Sequence, residues 1–352
     1  VSVISSASIV NLLVNLLVTV VLARMGTSIV LLKIVVLIGI VARSLILMWY
    51  VRVHYPQVRF NAPPNTKALN KRWSALYLQI LGVVQQGAPV VLATLFTSLS
   101  MVSVYSIYNM IVAGLNGILS IFISGLSSSF GDVIARKQTH VLKQSTEEFE
   151  VGYYMMLAWS YTCAFALIIP FVRIYTTRIT DVDYVYPILG MLFVLNGLLY
   201  NIKTPQGMLV ISAGMFQETR IQTTIQGLIA IVAGALLAKP FGLPGIMIGM
   251  CASNTYRDID LLFFVPKNIT FRTIKPTAYR IIRIFICIAI VLTPYMILAP
   301  PVNTILQWLL HAVILGIFAA IIIVGANLVF DREIMYSIWR RLSTLVRGVF
   351  KK

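Results

Sequence analysis

Residues 101–130 read MVSVYSIYNMIVAGLNGILSIFISGLSSSF, thirty residues in a row without a charged side chain. Roughly 20 apolar residues in an α-helix cross a bilayer core about 30 Å thick, so this stretch predicts a transmembrane helix. The rest of the chain has the same character, since 59% of its 352 residues are hydrophobic and 11% are charged. Soluble domains carry about 25% charged residues. The composition excludes a soluble enzyme, a nucleic-acid-binding protein and a disordered chain.

Ten apolar runs predict membrane-spanning helices, and the alternating pattern of barrel strands is absent. The runs are 1–23, 28–50, 75–99, 101–130, 151–172, 184–202, 221–238, 243–265, 284–299 and 302–330. The predicted fold class is therefore an all-α polytopic membrane protein.

Basic residues are concentrated in alternate connections between these helices. Of the 28 Lys and Arg residues, 22 fall on one side and 4 on the other, and Lys33 and Arg43 lie within a span. Because cytoplasmic loops carry the excess of Lys and Arg, this distribution predicts that both chain ends are cytoplasmic.

No pattern typical of catalysis or metal binding accompanies the helices. The three histidines, His54, His140 and His311, are scattered, and Asp258 and Asp260 are two residues apart and so on different helix faces. We expect no enzyme, no cofactor and no metal site. Movement of a solute across the membrane is the default interpretation, and the coupling ion is left open.

Two segments have the same helix–turn–helix pattern, residues 8–51 and 219–265. Each has a basic residue just before a turn glycine (Gly26 and Gly242) and an arginine in the second helix (Arg43 and Arg257). Parallel repeats of this kind indicate a two-lobed transporter with its site between the lobes.

Several motifs resemble one known family. They are the stretch from Pro89 to Arg136 with its Tyr105-Ser-Ile-Tyr108 element, the Phe130-Gly131 helix end and the FGLPGIMIG turn at 241–249. Together they are similar to bacterial polysaccharide (O-antigen, capsule and exopolysaccharide) flippases of the multidrug/oligosaccharidyl-lipid/polysaccharide exporter superfamily. The resemblance implies a two-lobed, fourteen-helix MATE-like fold, of which these ten helices would be the fifth to fourteenth and the first four would be lacking.

The family plan implies five regions. They are 1–52, the last two helices of the amino-terminal lobe; 53–74, a cytoplasmic inter-lobe loop; 75–266, the carboxy-terminal six-helix lobe; 267–330, two additional helices; and 331–352, a basic amphipathic tail on the inner membrane surface.

The function implied by the resemblance is the flipping of an undecaprenyl-diphosphate-linked oligosaccharide across the bacterial cytoplasmic (inner) membrane. Its partners would be that lipid-linked sugar, membrane lipids and, in polysaccharide assembly, a polymerase and glycosyltransferases, with no nucleic acid. The alternatives are a peptidoglycan-precursor flippase, a cation-coupled exporter of small molecules, and a membrane scaffold that transports nothing.

Three basic residues are candidates for contacting a diphosphate, to which Arg donates two charge-assisted hydrogen bonds. Arg43 lies about 11 Å inside its span, counted at 1.5 Å per residue, and is the first choice. The alternative for Arg43 and Lys33 is snorkelling to the membrane interface. The alternative for Arg257 is local pairing with Asp260, three residues later.

A polar stripe along the 101–130 helix is the other candidate. Its members step by three or four residues, which places them on one face: Tyr105, Asn109, Ala113, Asn116, Ser120 and Ser124. This stripe predicts a sugar-facing wall, or alternatively close helix packing with Asn as interhelical glue. Gln85 and Gln86, beside Gly87 and Pro89, predict a polar, bendable point in the preceding helix.

Overall fold

The computed structural model describes residues 2–55, 72–124, 126–298 and 300–349, and these residues are helical apart from short connections. The helices are α1 (Ser2–Arg24), α2 (Ile29–His54), α3 (Arg72–Phe96), α4 (Leu99–Ser124), α5 (Ser127–Ala135), α6 (Thr139–Tyr175), α7 (Pro187–Ile202), α8 (Thr204–Ser212), α9 (Arg220–Val265), a π-helical turn (Pro266–Thr270), α10 (Lys275–Leu298), α11 (Ile305–Phe330) and α12 (Arg332–Val349). The all-helical polytopic class is confirmed. Most of the predicted 53–74 loop and the last three residues of the tail lie outside the described residues.

Eight helical segments within the described residues are long and apolar enough to cross a membrane. They are Ile29–His54, Leu76–Phe96, Leu99–Ala135, Thr139–Tyr175, Pro187–Ser212, Arg220–Thr270, Lys275–Leu298 and Ile305–Phe330. The prediction of ten spans exceeds this number by two, and both discrepancies can be assigned to particular segments. Only Val10–Arg24 of the first predicted span qualifies, as a shorter apolar helix, and two predicted spans form the single segment Arg220–Thr270.

The chain forms two compact units, Val1–Leu69 and Asn70–Lys352. The first is a helical hairpin of α1 and α2. Its turn contains Gly26 at φ 67°, a conformation that glycine adopts without steric cost. Gly39 of α2 lies directly against the side chain of Asn15 of α1, so the two helices are in close contact.

Helix α9 is also a hairpin, because its helical geometry breaks at Gly242 (φ 60°, ψ −136°). The two arms lie antiparallel: Ser253 donates a hydrogen bond to the Gln226 carbonyl at 2.7 Å. A Cβ atom added at Gly249 would meet the backbone nitrogen of Gly234 on the opposite arm. Both predicted helix–turn–helix segments are therefore hairpins with a positive-φ glycine in the turn.

The core of the second unit is built around α6, which packs against α4, α7, α10 and α11. Tyr161 of α6, Phe193 of α7 and Tyr108 of α4 are all essentially inaccessible. At Gly197 of α7, an added Cβ would lie 2.6 Å from Val112 Cγ1 of α4 and 2.7 Å from Tyr161 Oη. The glycine thus permits the close approach of three helices that positions the polar residues described below.

Buried ion pairs hold one end of α6 against α10. Glu150 accepts hydrogen bonds from Arg280 (2.8 Å), Thr277 (3.0 Å) and Arg272 (3.4 Å), and both Glu150 and Arg280 are buried. Paired with these donors, charged residues can occupy an interior that would otherwise exclude them. The predicted additional helices, 267–330, therefore pack directly against the six-helix region within a single compact unit.

The same cluster extends to the end of α11 and to α12. Asp331 accepts from Arg280 at 2.9 Å and also from Arg283. Three connections predicted to be cytoplasmic, those that hold Glu150, Arg280 and Asp331, thus meet at one end of the unit. The segment 176–186 packs at the end where α4 begins, because Tyr108 donates to the Tyr184 carbonyl at 2.9 Å.

Candidate functional site

A polar cavity of about 710 Å³ opens between α3, α4, α7, α8 and the two arms of α9. All of these elements belong to the second unit. The lining residues are Gly82, Gln85, Gln86, Pro89, Tyr105, Asn109, Val112, Ala113, Asn116, Gly117, Ser120, Ile123, Asn196, Gly197, Tyr200, Asn201, Lys203, Thr204, Gln226, Ala230, Met250, Ser253 and Asn254. Eight of these side chains are amides, five are hydroxyls and one, Lys203, is charged.

The α4 stripe predicted from sequence forms one wall of this cavity. Tyr105, Asn109, Asn116 and Ser120 line it together with Ala113. The side chain of Ser124 lies outside the described residues. Tyr105 also packs on Phe193, with ring centroids 5.1 Å apart. The stripe therefore contributes both to a cavity wall and to helix packing.

Gln85 and Gln86 of α3 contribute to the facing wall. Gln85 donates from its amide to the Thr223 carbonyl of α9 at 3.1 Å, which fixes the side chain across the helix interface. Gln86 is exposed to the cavity space. Sequence reasoning placed these two residues and the α4 stripe on separate helices, and the structure brings them together.

An amide and hydroxyl network supports the floor of the cavity. Buried Asn201 of α7 donates to Asn116 Oδ1 at 2.6 Å and accepts from Tyr153 at 3.0 Å. Tyr161 donates to the same Asn116 oxygen at 3.0 Å. The carbonyl of Asn116 is thus held from the protein interior, which orients this side chain at the cavity surface.

The two arms of α9 supply further amides. Asn254 donates to Asn196 Oδ1 at 2.9 Å, and Gln226 donates to Asn254 Oδ1 at 3.4 Å. Gln226 and Asn254 lie on opposite arms, so the turn at Gly242 is what brings them to one place. The second helix–turn–helix segment therefore builds part of the cavity through its fold.

Lys203, at the junction of α7 and α8, carries the positive charge of the described cavity lining. Its Nζ donates to Asn254 Oδ1 and lies 4.9 Å from the centroid of the Tyr200 ring. A cation over an aromatic face is favoured by the ring quadrupole. An ammonium held in this way is available to an anion in the cavity.

The three cationic candidates are held by other parts of the chain. Arg43 is half-buried in the α1–α2 hairpin and donates to Ser8 at 3.3 Å, and Lys33 of the same hairpin is exposed. Arg257 is buried and forms an ion pair with Asp260, so the pairing predicted as its alternative is confirmed. Arg257 is not among the residues that line the cavity.

Sequence reasoning missed Asn196, Asn201, Gln226, Asn254 and Lys203. The four amides gave a usable signal, since each interrupts a predicted apolar span. Lys203 gives no such signal, because in the sequence it falls among the basic residues of a predicted cytoplasmic connection. Within the described residues, no group of three or more His, Cys, Asp or Glu side chains could hold a metal ion.

These features define a class: a polytopic helical membrane protein with a polar, amide-rich cavity among apolar helices. Comparison of the chain with family models, with curated proteins and with solved structures finds no match.

Proposed function

We propose that this chain is a flippase that moves a lipid-linked oligosaccharide, carried on undecaprenyl diphosphate, between the leaflets of a bacterial cytoplasmic membrane. The observation that carries the proposal is the cavity, in which eight amides, five hydroxyls and one lysine are gathered. The helices around it expose apolar side chains outward, such as Ile118 and Ile121 of α4. The arrangement suits a polar headgroup with an apolar tail.

The chemistry of the lining matches sugars. Polar groups cannot enter hydrocarbon without losing their hydrogen bonds to water. An amide offers both donors and acceptors, so a wall of amides can replace water around sugar hydroxyls in many orientations. Lys203 can form a charge-assisted hydrogen bond to a phosphate oxygen. The polyprenyl tail would remain in the lipid.

The alternatives make different demands on the cavity. An exporter of small cations would use acidic groups, and no carboxylate is among the described lining residues. A peptidoglycan-precursor flippase would share the diphosphate contact and differ in the glycan. A scaffold that transports nothing has no need of a polar cavity within its helices.

Asn109 offers a test because it lines the cavity and makes no hydrogen bond to the described part of the chain. We expect Asn109→Leu to bind farnesyl-diphosphate-linked N-acetylglucosamine at least about tenfold more weakly, the loss of one good hydrogen bond to a ligand. Titration of the purified full chain followed by native mass spectrometry measures this.

Ser106→Leu is the matched control. Ser106 lies one turn earlier on α4, is exposed, and within the described part of the chain bonds only to the Val102 carbonyl of its own helix. Its affinity should equal that of the wild type. Absence of probe binding by the wild type, or equal affinities for Asn109→Leu and wild type, would contradict the proposal. Preference for a muropeptide-bearing probe or for a cationic dye would favour the corresponding alternative.

A further inference from the structure

Asp258, in the second arm of α9, has a carboxylate to which no side chain among the described residues donates a hydrogen bond, although the backbone of Lys203 approaches it. Both of its oxygens are buried. An ionised carboxylate in such a place is strongly disfavoured unless a cation compensates it. The identity of that cation decides what the carboxylate can do.

Charged and titratable groups approach Asp258 from three elements. From α6, Tyr154 faces it, but the Tyr154 hydroxyl already bonds to the Ile202 carbonyl at 3.1 Å. From α9 itself, neighbouring Arg257 is neutralised by Asp260. From the α7–α8 junction comes Lys203, whose backbone approaches Asp258 and whose ammonium bonds to Asn254, one helical turn before Asp258 on the same arm. Among the described residues, Lys203 is therefore the cation that compensates Asp258.

Lys203 is also the cation of the cavity lining, where Asn254 and the Tyr200 ring hold its ammonium. One positive charge thus lies one helical turn from a buried carboxylate and also lines the cavity. When the cavity receives an anion, the ammonium cannot fully compensate both negative charges.

We propose that Asp258 is a proton-binding site that fills when an anionic headgroup enters the cavity. This inference rests on the proposed function for the identity of the anion. With the cavity empty, the Lys203 ammonium compensates the ionised Asp258 carboxylate. With a diphosphate beside Lys203, the ammonium is retained for the anion and a proton from solvent forms an O–H bond on the Asp258 carboxylate. No electrons are transferred, and the net charge of the loaded cavity is reduced by the proton gained.

Proton uptake on binding makes affinity depend on pH. By linkage, the affinity for the anion rises as pH falls, by at most about tenfold per pH unit for one proton. Farnesyl-diphosphate-linked N-acetylglucosamine is a suitable probe, because its diphosphate is a diester whose own charge is constant near neutral pH.

Calorimetric titration of this probe into the purified full chain, in buffers of different ionisation enthalpy, counts the protons exchanged. We expect the wild type to take up as much as about one proton per probe and Asp258→Asn to take up none while still binding. Asp260→Asn is the matched control, since it removes a carboxylate two residues away that is paired with Arg257. It should keep the wild-type uptake.

A second measurement does not need the probe. Infrared difference spectra between wild type and Asp258→Asn, recorded from roughly pH 5 to 9, should show the carbonyl band of one protonated carboxyl that titrates. If Asp258→Asn does not fold, Lys203→Gln replaces it: the band should then persist throughout that range and probe-linked uptake should vanish.

The outcomes separate this inference from the proposed function. Failure of the wild type to bind the probe contradicts the proposed function, while the infrared band still decides the proton site. Equal proton uptake by wild type and Asp258→Asn, no uptake by the wild type on binding, or absence of a titrating carboxyl band would overturn the proton site.

Discussion

The side chain of Asn201 shows how single polar residues shape the cavity. Its amide serves Asn116, Tyr153 and Tyr161 at once, inside a tightly packed junction of α4, α6 and α7. Asn109 lies on α4, two turns before Asn116. It has no such partners among the described residues and faces open space. The helical spacing of the α4 stripe predicts the residues on the cavity wall. It cannot predict Asn201, because only the fold shows which amides meet across helices.

Substitution of Asn201 should therefore lower the stability of the protein, whereas substitution of Asn109 should not. Asn201→Leu removes the acceptor of the buried Tyr153 hydroxyl and the amide that donates to Asn116 and Tyr161, so we expect a loss of about 2–3 kcal/mol in stability. Asn109→Leu should leave stability unchanged. Thermal unfolding in detergent measures both, and equal midpoints for the two variants would show that the Asn201 network is dispensable.

At the scale of elements, the turn glycines and apolar runs predict the hairpins well, whereas helix starts are less predictable. The apolar run 151–172 predicts a helix that starts at residue 151, but α6 begins at Thr139. The run 284–299 likewise missed the first turns of α10, which begins at Lys275. In both cases the missing turns carry charges, Glu150 and Arg280, which are buried because they pair with each other. Hydropathy cannot anticipate such a pairing across 130 residues.

The α9 hairpin depends on glycine at its closest approach. Gly249→Ala places a methyl group against the Gly234 backbone, which cannot move aside as a side chain can. We expect a loss of at least about 2 kcal/mol, together with weaker probe binding, since both arms line the cavity. Gly152→Ala on α6 has open space and should be harmless. Equal midpoints for the two variants in thermal unfolding would contradict the close contact.

The cluster of Asp331 with Arg280 and Arg283 predicts that the free energy of unfolding falls at acid pH. Burial alone would raise the pKa of Asp331, but hydrogen bonds from Arg280 and Arg283 outweigh burial and hold the pKa of that carboxyl below its ordinary value. Its contribution is therefore present above the unfolded-state pKa, about 3.9, and is lost as pH falls through the lower folded-state value.

We expect Asp331→Asn to lose about 3 kcal/mol at neutral pH, as when one partner of a buried pair is removed, and to show a flatter acid limb. Asp132→Asn is the control, because the Asp132–Arg136 pair is largely exposed and such pairs contribute little. Unfolding midpoints measured from neutral pH to about pH 3 test this. Parallel acid limbs for wild type and Asp331→Asn would refute it.

At the scale of the molecule, the described connections of the second unit sort to two ends. Three basic connections predicted to be cytoplasmic, those that hold Glu150, Arg280 and Asp331, meet at one end, and the segment 176–186 packs at the end where α4 begins. The excess of Lys and Arg predicts which connections share an end, because short basic loops stay on one side of the membrane. It could not predict the cavity, which arises where α3, α7 and both arms of α9 meet α4.

The orientation can be measured by cysteine accessibility. We expect Thr180→Cys to react with a membrane-impermeant thiol reagent added outside intact cells, and Gln217→Cys to react only after permeabilisation; both native side chains are exposed. The background should lack the native cysteines Cys163, Cys251 and Cys287. The reverse pattern would place the chain ends outside, and labelling of both sites from outside would contradict the sorting of the connections.

The central claim is that a polar lipid headgroup crosses the membrane through the amide-lined cavity. Its most direct test uses liposomes that contain the purified chain and a polyprenyl-diphosphate oligosaccharide with a fluorescent label on the sugar. A membrane-impermeant reductant then quenches whatever label reaches the outer leaflet. We predict nearly complete quenching with wild type and Ser106→Leu, and markedly slower quenching of the inner-leaflet label with Asn109→Leu. Quenching no greater than in protein-free liposomes, or equal rates for Asn109→Leu and wild type, would contradict the claim.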